Sequence, residues 1–190
     1  MVKHNTILLL ANLDGLDETT AYNLVADAVD KNTNKKEILL LLVGEKEMNM
    51  PIPYTHFKVK LGSVVSKYND ALRAYSEDWD CCVPIHRNAT LTNNYNEKIW
   101  SSVNFKAYKT NFLMLSNNGL PVIGRVFYEQ TLNVFPNKFK TAYIASKYLF
   151  KYSPKNKYVL IQEGIYNNIL PLNLNDVDFF NDIKVAKNDL

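Results

Sequence analysis

Few residues in this chain have the types and spacing to do chemistry. Asp78 and Asp80 spell Asp-x-Asp, a pair of hard oxygen ligands suited to Mg²⁺ or Mn²⁺ on a diphosphate. They precede the apolar run 81–85, however, whereas open α/β sheets bind ligands beyond the carboxyl ends of their strands. Both therefore read as a solvated turn, with Asp80 pairing locally. After the run come His86, Arg87 and Asn88. A lone imidazole and an amide make a poor magnesium site, and a guanidinium repels the ion, so no metal site is expected there. Cys81 and Cys82 are adjacent, which on a strand points them to opposite faces and rules out an ordinary disulfide. With no further cysteine for zinc, they read as small core residues in a reducing compartment.

The elements that must position these residues follow from periodicity and punctuation. Residues 6–13 read as a buried strand, and Asp14-Gly15 turns the chain. Asp17 or Thr19 caps a helix through about residue 30, with Leu16, Thr20, Leu24 and Ala28 near helical spacing. Residues 37–43 read as a second strand, apolar from Ile38 on, as a parallel strand covered on both faces should be. Residues 45–54 suit a loop and 56–61 alternate as a third strand. A helix over 63–75, opened by Gly62-Ser63, and a strand over 81–85 complete a β-α-β-β-α-β order, which argues for a mainly parallel sheet with helices on both faces. The second half is less regular. Helices are expected over 93–102, 124–132 and 140–152, and strands within 105–115 and at 158–162. Residues 1–170 read as one domain and 171–190 as a tail, with a last helix within 176–187.

The ordered set Gly62-Ser63 to Tyr75, Asp78 to Asn88 and Gly119-Leu120-Pro121-Val122-Ile123-Gly124, the last as a turn into a short helix, resembles the compact GT-A-type glycosyltransferases of tailed phages, a Rossmann-related α/β family. The resemblance covers roughly residues 5–165. It implies a nucleotide-sugar donor, a divalent metal held by acids after the fourth strand, and a carboxylate or imidazole base for the acceptor hydroxyl. At the metal positions stand His86, Arg87 and Asn88, and the helix expected to carry the base reads Tyr143-Ile144-Ala145-Ser146-Lys147. Glu129 and Glu163 are the nearest carboxylates in sequence, the first expected on the solvent face of its helix and the second at a strand end. On the donor side, Asn12 at the end of the first strand would meet the base, or merely form a turn. Lys67 would meet a phosphate or a uracil edge, or lie exposed on its helix. His4 and His56 have no partner spacing and receive no role.

Composition narrows the classes. The chain has 190 residues, 47% hydrophobic and 22% charged, which suits one ordinary domain and neither a disordered nor a membrane protein. A net charge of +3 is too mild for a nucleic-acid groove. The start Met1-Val2-Lys3-His4-Asn5 leads directly into a strand without an apolar signal region, so synthesis in the cytoplasm is expected. Abundant lysine and asparagine with only Arg73, Arg87 and Arg125 fit AT-rich codons, as in a phage genome. The 12 tyrosines, 9 phenylalanines and 2 tryptophans exceed what a core needs, and residues 126–170 with the tail carry an interface-like composition. The leading expectation is a non-catalytic glycosyltransferase-like subunit of a large, symmetric phage assembly (neck, ring or tail), with protein partners, no cofactor, and the virion as its destination. Its alternatives are a metal-independent transferase, in which His86 or Arg87 replaces the metal's charge and Glu129 serves as base, and a nucleotide-sugar or carbohydrate binding module using Asn12 and Lys67.

Overall fold

The computed structural model describes residues 5–85, 90–102, 113–115, 121–131, 138, 165–167, 181, 184–185 and 187–188. The strand β1 (Ile7–Asn12) is the centre of the core, with Leu8, Leu9 and Leu10 wholly buried. Each such side chain contributes about 2 kcal/mol by leaving water. β2 (Ile38–Gly44) and β4 (Cys81–Ile85) flank it in parallel, and β3 (Thr55–Lys58) adds a further parallel strand beside β2. Beyond β4 lie β6 (Pro121–Gly124) and then β5 (Leu113–Leu115), with β6 antiparallel to both neighbours. Among the described residues the sheet has six strands in the order β3-β2-β1-β4-β6-β5. The expected mainly parallel α/β sheet is the one found.

Side-chain alternation divides the core in two. Ile7, Leu9 and Ala11 pack with Leu40, Leu42, Cys81 and Val83 beneath the helices α1 (Glu18–Asp30) and α3 (Tyr95–Ser102). Leu8, Leu10, Leu41, Val43 and Cys82 face α2 (Val64–Ala74) and α4 (Arg125–Thr131) on the other side. Cys81 and Cys82 thus lie on opposite faces, both free and fully buried, and burial pushes both thiols up. Asp17 caps α1, accepting from the Thr20 N–H at 2.9 Å and its hydroxyl at 2.6 Å, and these bonds hold its carboxyl below the usual value. Ser63 caps α2, accepting from the Ser66 N–H at 3.2 Å. The turn after α1 is pinned to α3 by polar side chains: Asn32 donates to the Tyr95 hydroxyl, and Asn96 accepts from Thr33 N and donates to its hydroxyl.

Three expectations change. β3 stops at Lys58, although the alternation runs on to Leu61, because β2 ends at Gly44 and offers no backbone beyond the Gly44–Lys58 pair. Leu61 is consequently 82% exposed. Pro121-Val122-Ile123-Gly124 is a strand rather than a turn, since it is sandwiched between β4 and β5, and the helix after it begins at Arg125. Asp80 pairs at long range: its carboxylate accepts from Thr6 N at 2.8 Å, its N–H donates to Thr6 O at 2.9 Å, and its carbonyl accepts from Arg125 N. It pins the amino ends of β1 and β4 together and starts α4. In the tail, Val185 lies in helix and packs on the α2–α4 face of this same domain. The expected elements over 105–112, 140–152 and 158–162, and the rest of the tail, lie outside the described residues.

Candidate functional site

The carboxyl ends of β1 and β2 converge on one charged pair. Asp14 follows β1 by two residues, and its turn is shaped by the Asn12 side chain, which accepts from Asp14 N at 3.1 Å. Gly44 ends β2 beside it. A Cβ on Gly44 would stand 2.3 Å from Asp14 Oδ1, so the carboxylate fills the space that a side chain at position 44 would need. Asp14 Oδ1 accepts from Glu45 N at 3.0 Å, and Oδ2 accepts from Lys67 Nζ at 2.8 Å. Lys67 comes from the first turn of α2, whose long side chains lean back toward the helix start. Its side chain is 10% exposed, that of Asp14 30%. An ammonium this buried is tolerable only because it is paired.

Neighbouring groups brace the pair. Gly62, at φ 115°, turns the chain into the α2 cap and lies over the Lys67 stem, and a Cβ there would meet Ser66 Oγ at 2.6 Å. His56 Nε2 faces the Gly44 carbonyl at 3.1 Å, and Val59 N donates to the same carbonyl at 3.0 Å. A hydrogen bond joins the buried Tyr68 hydroxyl to the Asn12 backbone, and burial holds the Tyr68 phenol well above its usual range. Lys60 and Glu45 pair at 3.5 Å on the exposed rim.

Asn12 and Lys67, the two donor-side candidates, are brought together here. Neither is idle: Asn12 shapes the turn, and Lys67 is buried against Asp14 rather than exposed on its helix. Asp14 and Gly44 were not singled out by the sequence. An Asp-Gly dipeptide reads as a turn, and the partners of Asp14 lie 31 and 53 residues away. Glu129 is elsewhere. It accepts from Arg125 Nε at 2.7 Å, and the Arg125 guanidinium stacks at 5.0 Å on Trp79, next to the amino end of β4. His86, Arg87 and Glu163 lie outside the described residues.

The carboxylates of this edge, and Asp80, are already engaged. Asp14 already holds an ammonium at the position a cation would take, and Glu45 turns to Lys60. Asp80 is bound at the opposite end of the sheet. Among the described residues no three His, Cys, Asp or Glu side chains gather as a metal site, and no helix is long and apolar enough to cross a membrane.

The sequence matches no protein-family model and no curated protein. Solved structures do resemble it. S. aureus TarS superposes with a TM-score of 0.60 at 8% identity, covering 97% of this chain and 39% of TarS. The 1–349 portion of TarS in complex with UDP-GlcNAc gives 0.59 at 7% identity, covering 95% of this chain and 65% of that one. The 4-diphosphocytidyl-2C-methyl-D-erythritol synthase of Anaerococcus prevotii gives 0.50 at 11%, covering 95% and 96%. The chain thus spans less than two thirds of the TarS chains it superposes on. At such identities the likeness concerns the path of the backbone, and it makes this chain a GT-A-like α/β domain.

Proposed function

We propose that this domain binds a nucleoside diphosphate sugar at the carboxyl ends of β1 and β2. The observation that carries the proposal is the Asp14–Lys67 pair, seated in the gap left by Gly44 where parallel strands end. Open α/β sheets place their ligands at that edge. A buried ion pair is poor evidence of a stabilising role, because apolar residues of like volume do as well or better. Its presence at the ligand edge is better explained by binding. TarS, which shares the fold, has been solved with UDP-GlcNAc, and this supports the ligand class. The test is calorimetric titration of the chain with UDP, CDP and UDP-GlcNAc. Saturable binding that weakens tenfold or more in Asp14→Asn supports the proposal; no binding to any of the three rejects it.

Whether binding leads to transfer divides two finer readings. The sequence His86-Arg87-Asn88 after β4 and the engagement of Glu129 with Arg125 favour a domain without turnover, serving protein assembly, with a phage particle as the specific setting. The alternative is metal-independent transfer, with His86 or Arg87 offsetting the charge of the leaving diphosphate. Release of UDP from UDP-GlcNAc in the presence of chelator decides between them. Release that disappears in a His86→Ala, Arg87→Ala variant selects the enzyme, and its absence together with a large particle by light scattering selects the assembly role.

A further inference from the structure

Resting on the reading of this edge as a nucleotide site, the geometry points to Asp14 as the group that meets the ligand, gripping the two vicinal ribose hydroxyls, while Lys67 is a positioning residue that touches no phosphate. The more exposed member of the pair is the carboxylate, at 30% against 10% for the lysine. An ammonium held at 2.8 Å by a carboxylate, beneath the Gly62 turn, is directed inward. A diphosphate approaching this edge would meet the negative charge of Asp14 first, and the low exposure of Lys67 keeps its charge behind that screen.

Asp14 is also prepared as an acceptor. Among the described residues each of its oxygens takes one hydrogen bond, from Glu45 N at 3.0 Å and from Lys67 Nζ at 2.8 Å. A carboxylate oxygen carries two lone pairs, so one remains on each. Two acceptors on one rigid plane match two neighbouring hydroxyl donors, and charge-assisted bonds of this type are the stronger ones. Acidic side chains near strand ends grip ribose hydroxyls in dinucleotide sites for the same reason. The absent side chain at position 44 is what lets the carboxylate lie against β2 in this orientation.

The experiment crosses changes in the ligand with changes in the protein. Wild-type chain, Asp14→Asn and Asp14→Asn/Lys67→Met are titrated calorimetrically with UDP, with its dideoxyribose analogue and with inorganic pyrophosphate, and far-ultraviolet circular dichroism checks that each folds. For wild type, removing both hydroxyls should weaken binding by about ten- to a hundredfold, the worth of hydrogen bonds to a charged group. Asp14→Asn should weaken UDP by a similar factor yet barely alter the dideoxy analogue, the signature of two groups that interact directly. Adding Lys67→Met should then change nothing further, and any displacement of UDP by pyrophosphate should be the same with and without Lys67. Equal wild-type affinity for UDP and its analogue overturns the inference without any mutation. Displacement of UDP by pyrophosphate that is lost only when Lys67→Met is added, or a further loss of UDP affinity from Lys67→Met in the Asp14→Asn background, assigns Lys67 to the phosphates and overturns it as well. A wild-type chain that binds no UDP rejects the nucleotide site itself, and with it this inference.

Discussion

Asp14 and Gly44 show how one side chain and one missing side chain share a single volume. With a Cβ placed 2.3 Å from Asp14 Oδ1, alanine at position 44 must expel the carboxylate, which strands Lys67 at 10% exposure without its partner. Gly44 also sits at φ 157°, at the margin of the region disfavoured for other residues. Overpacking and the broken pair act together, so Gly44→Ala is expected to destabilise the fold by about 2–4 kcal/mol. Chemical denaturation of the purified variant measures this directly. The companion Gly44→Ala/Asp14→Ser should recover part of the loss, because serine vacates the clash. A variant as stable as wild type would mean that the carboxylate has room elsewhere and that the seat described above is incidental.

Among the elements, the junction of β4, α2 and α4 is the least obvious from sequence. Asp80 ties Thr6 to Arg125, and the short helix α4 begins there because its first N–H has the Asp80 carbonyl to bind. Arg125 then covers Trp79, whose ring lies 5.6 Å from Tyr128 at a tilt of 48°. Trp79 is 3% exposed, yet among the described residues its indole N–H has no hydrogen-bond partner. A buried donor without an acceptor is a liability of about 1–3 kcal/mol. Trp79→Phe removes that donor while keeping an aromatic face under Arg125, so it should cost under about 1.5 kcal/mol despite the smaller ring. Trp79→Ala removes the packing too and should cost about 3–5 kcal/mol. Paired thermal melts of the two variants separate the contributions. Equal losses would show that the ring's full volume, and not the orphaned donor, decides the stability of this junction.

At the scale of the whole molecule, burial of weak acids sets the upper pH limit. Burial pushes Tyr75 up to about 12, and Tyr68, Tyr95 and Tyr166 are raised by the same cause. Burial likewise raises the Cys81 and Cys82 thiols above their usual range. A raised folded-state pKa means that the native chain holds the proton more tightly than the unfolded chain. The associated stability is complete below the unfolded values, and it is lost as pH climbs past 9.0 for the thiols and 10.0 for the phenols. The chain should therefore unfold cooperatively on the alkaline side between about pH 10 and 12. Tyrosinate absorbance from these four residues should appear together with the loss of ellipticity. Complete tyrosine ionisation near pH 10 with ellipticity intact would contradict the burial described here.

The sequence by itself determined what depends on near neighbours and on side-chain period. The continuous apolar runs at 7–11 and 38–43 can only be strands covered on both sides, and the Asp17 and Ser63 caps need partners three residues away. The face on which each cysteine lies follows from alternation alone. Tertiary structure decided where strands end and which polar groups meet. β3 stops because β2 stops, a fact about its neighbour rather than its own residues. Asp80 finds Thr6 across 74 positions, and Asp14 finds Lys67 across 53. Glu129 stays beside Arg125 near the amino end of β4 because β6 runs antiparallel and delivers α4 there. Local order comes from interactions over three or four residues and is written in spacing. The candidate site is made of long-range pairings, which only the path of the folded backbone brings within 3 Å of one another.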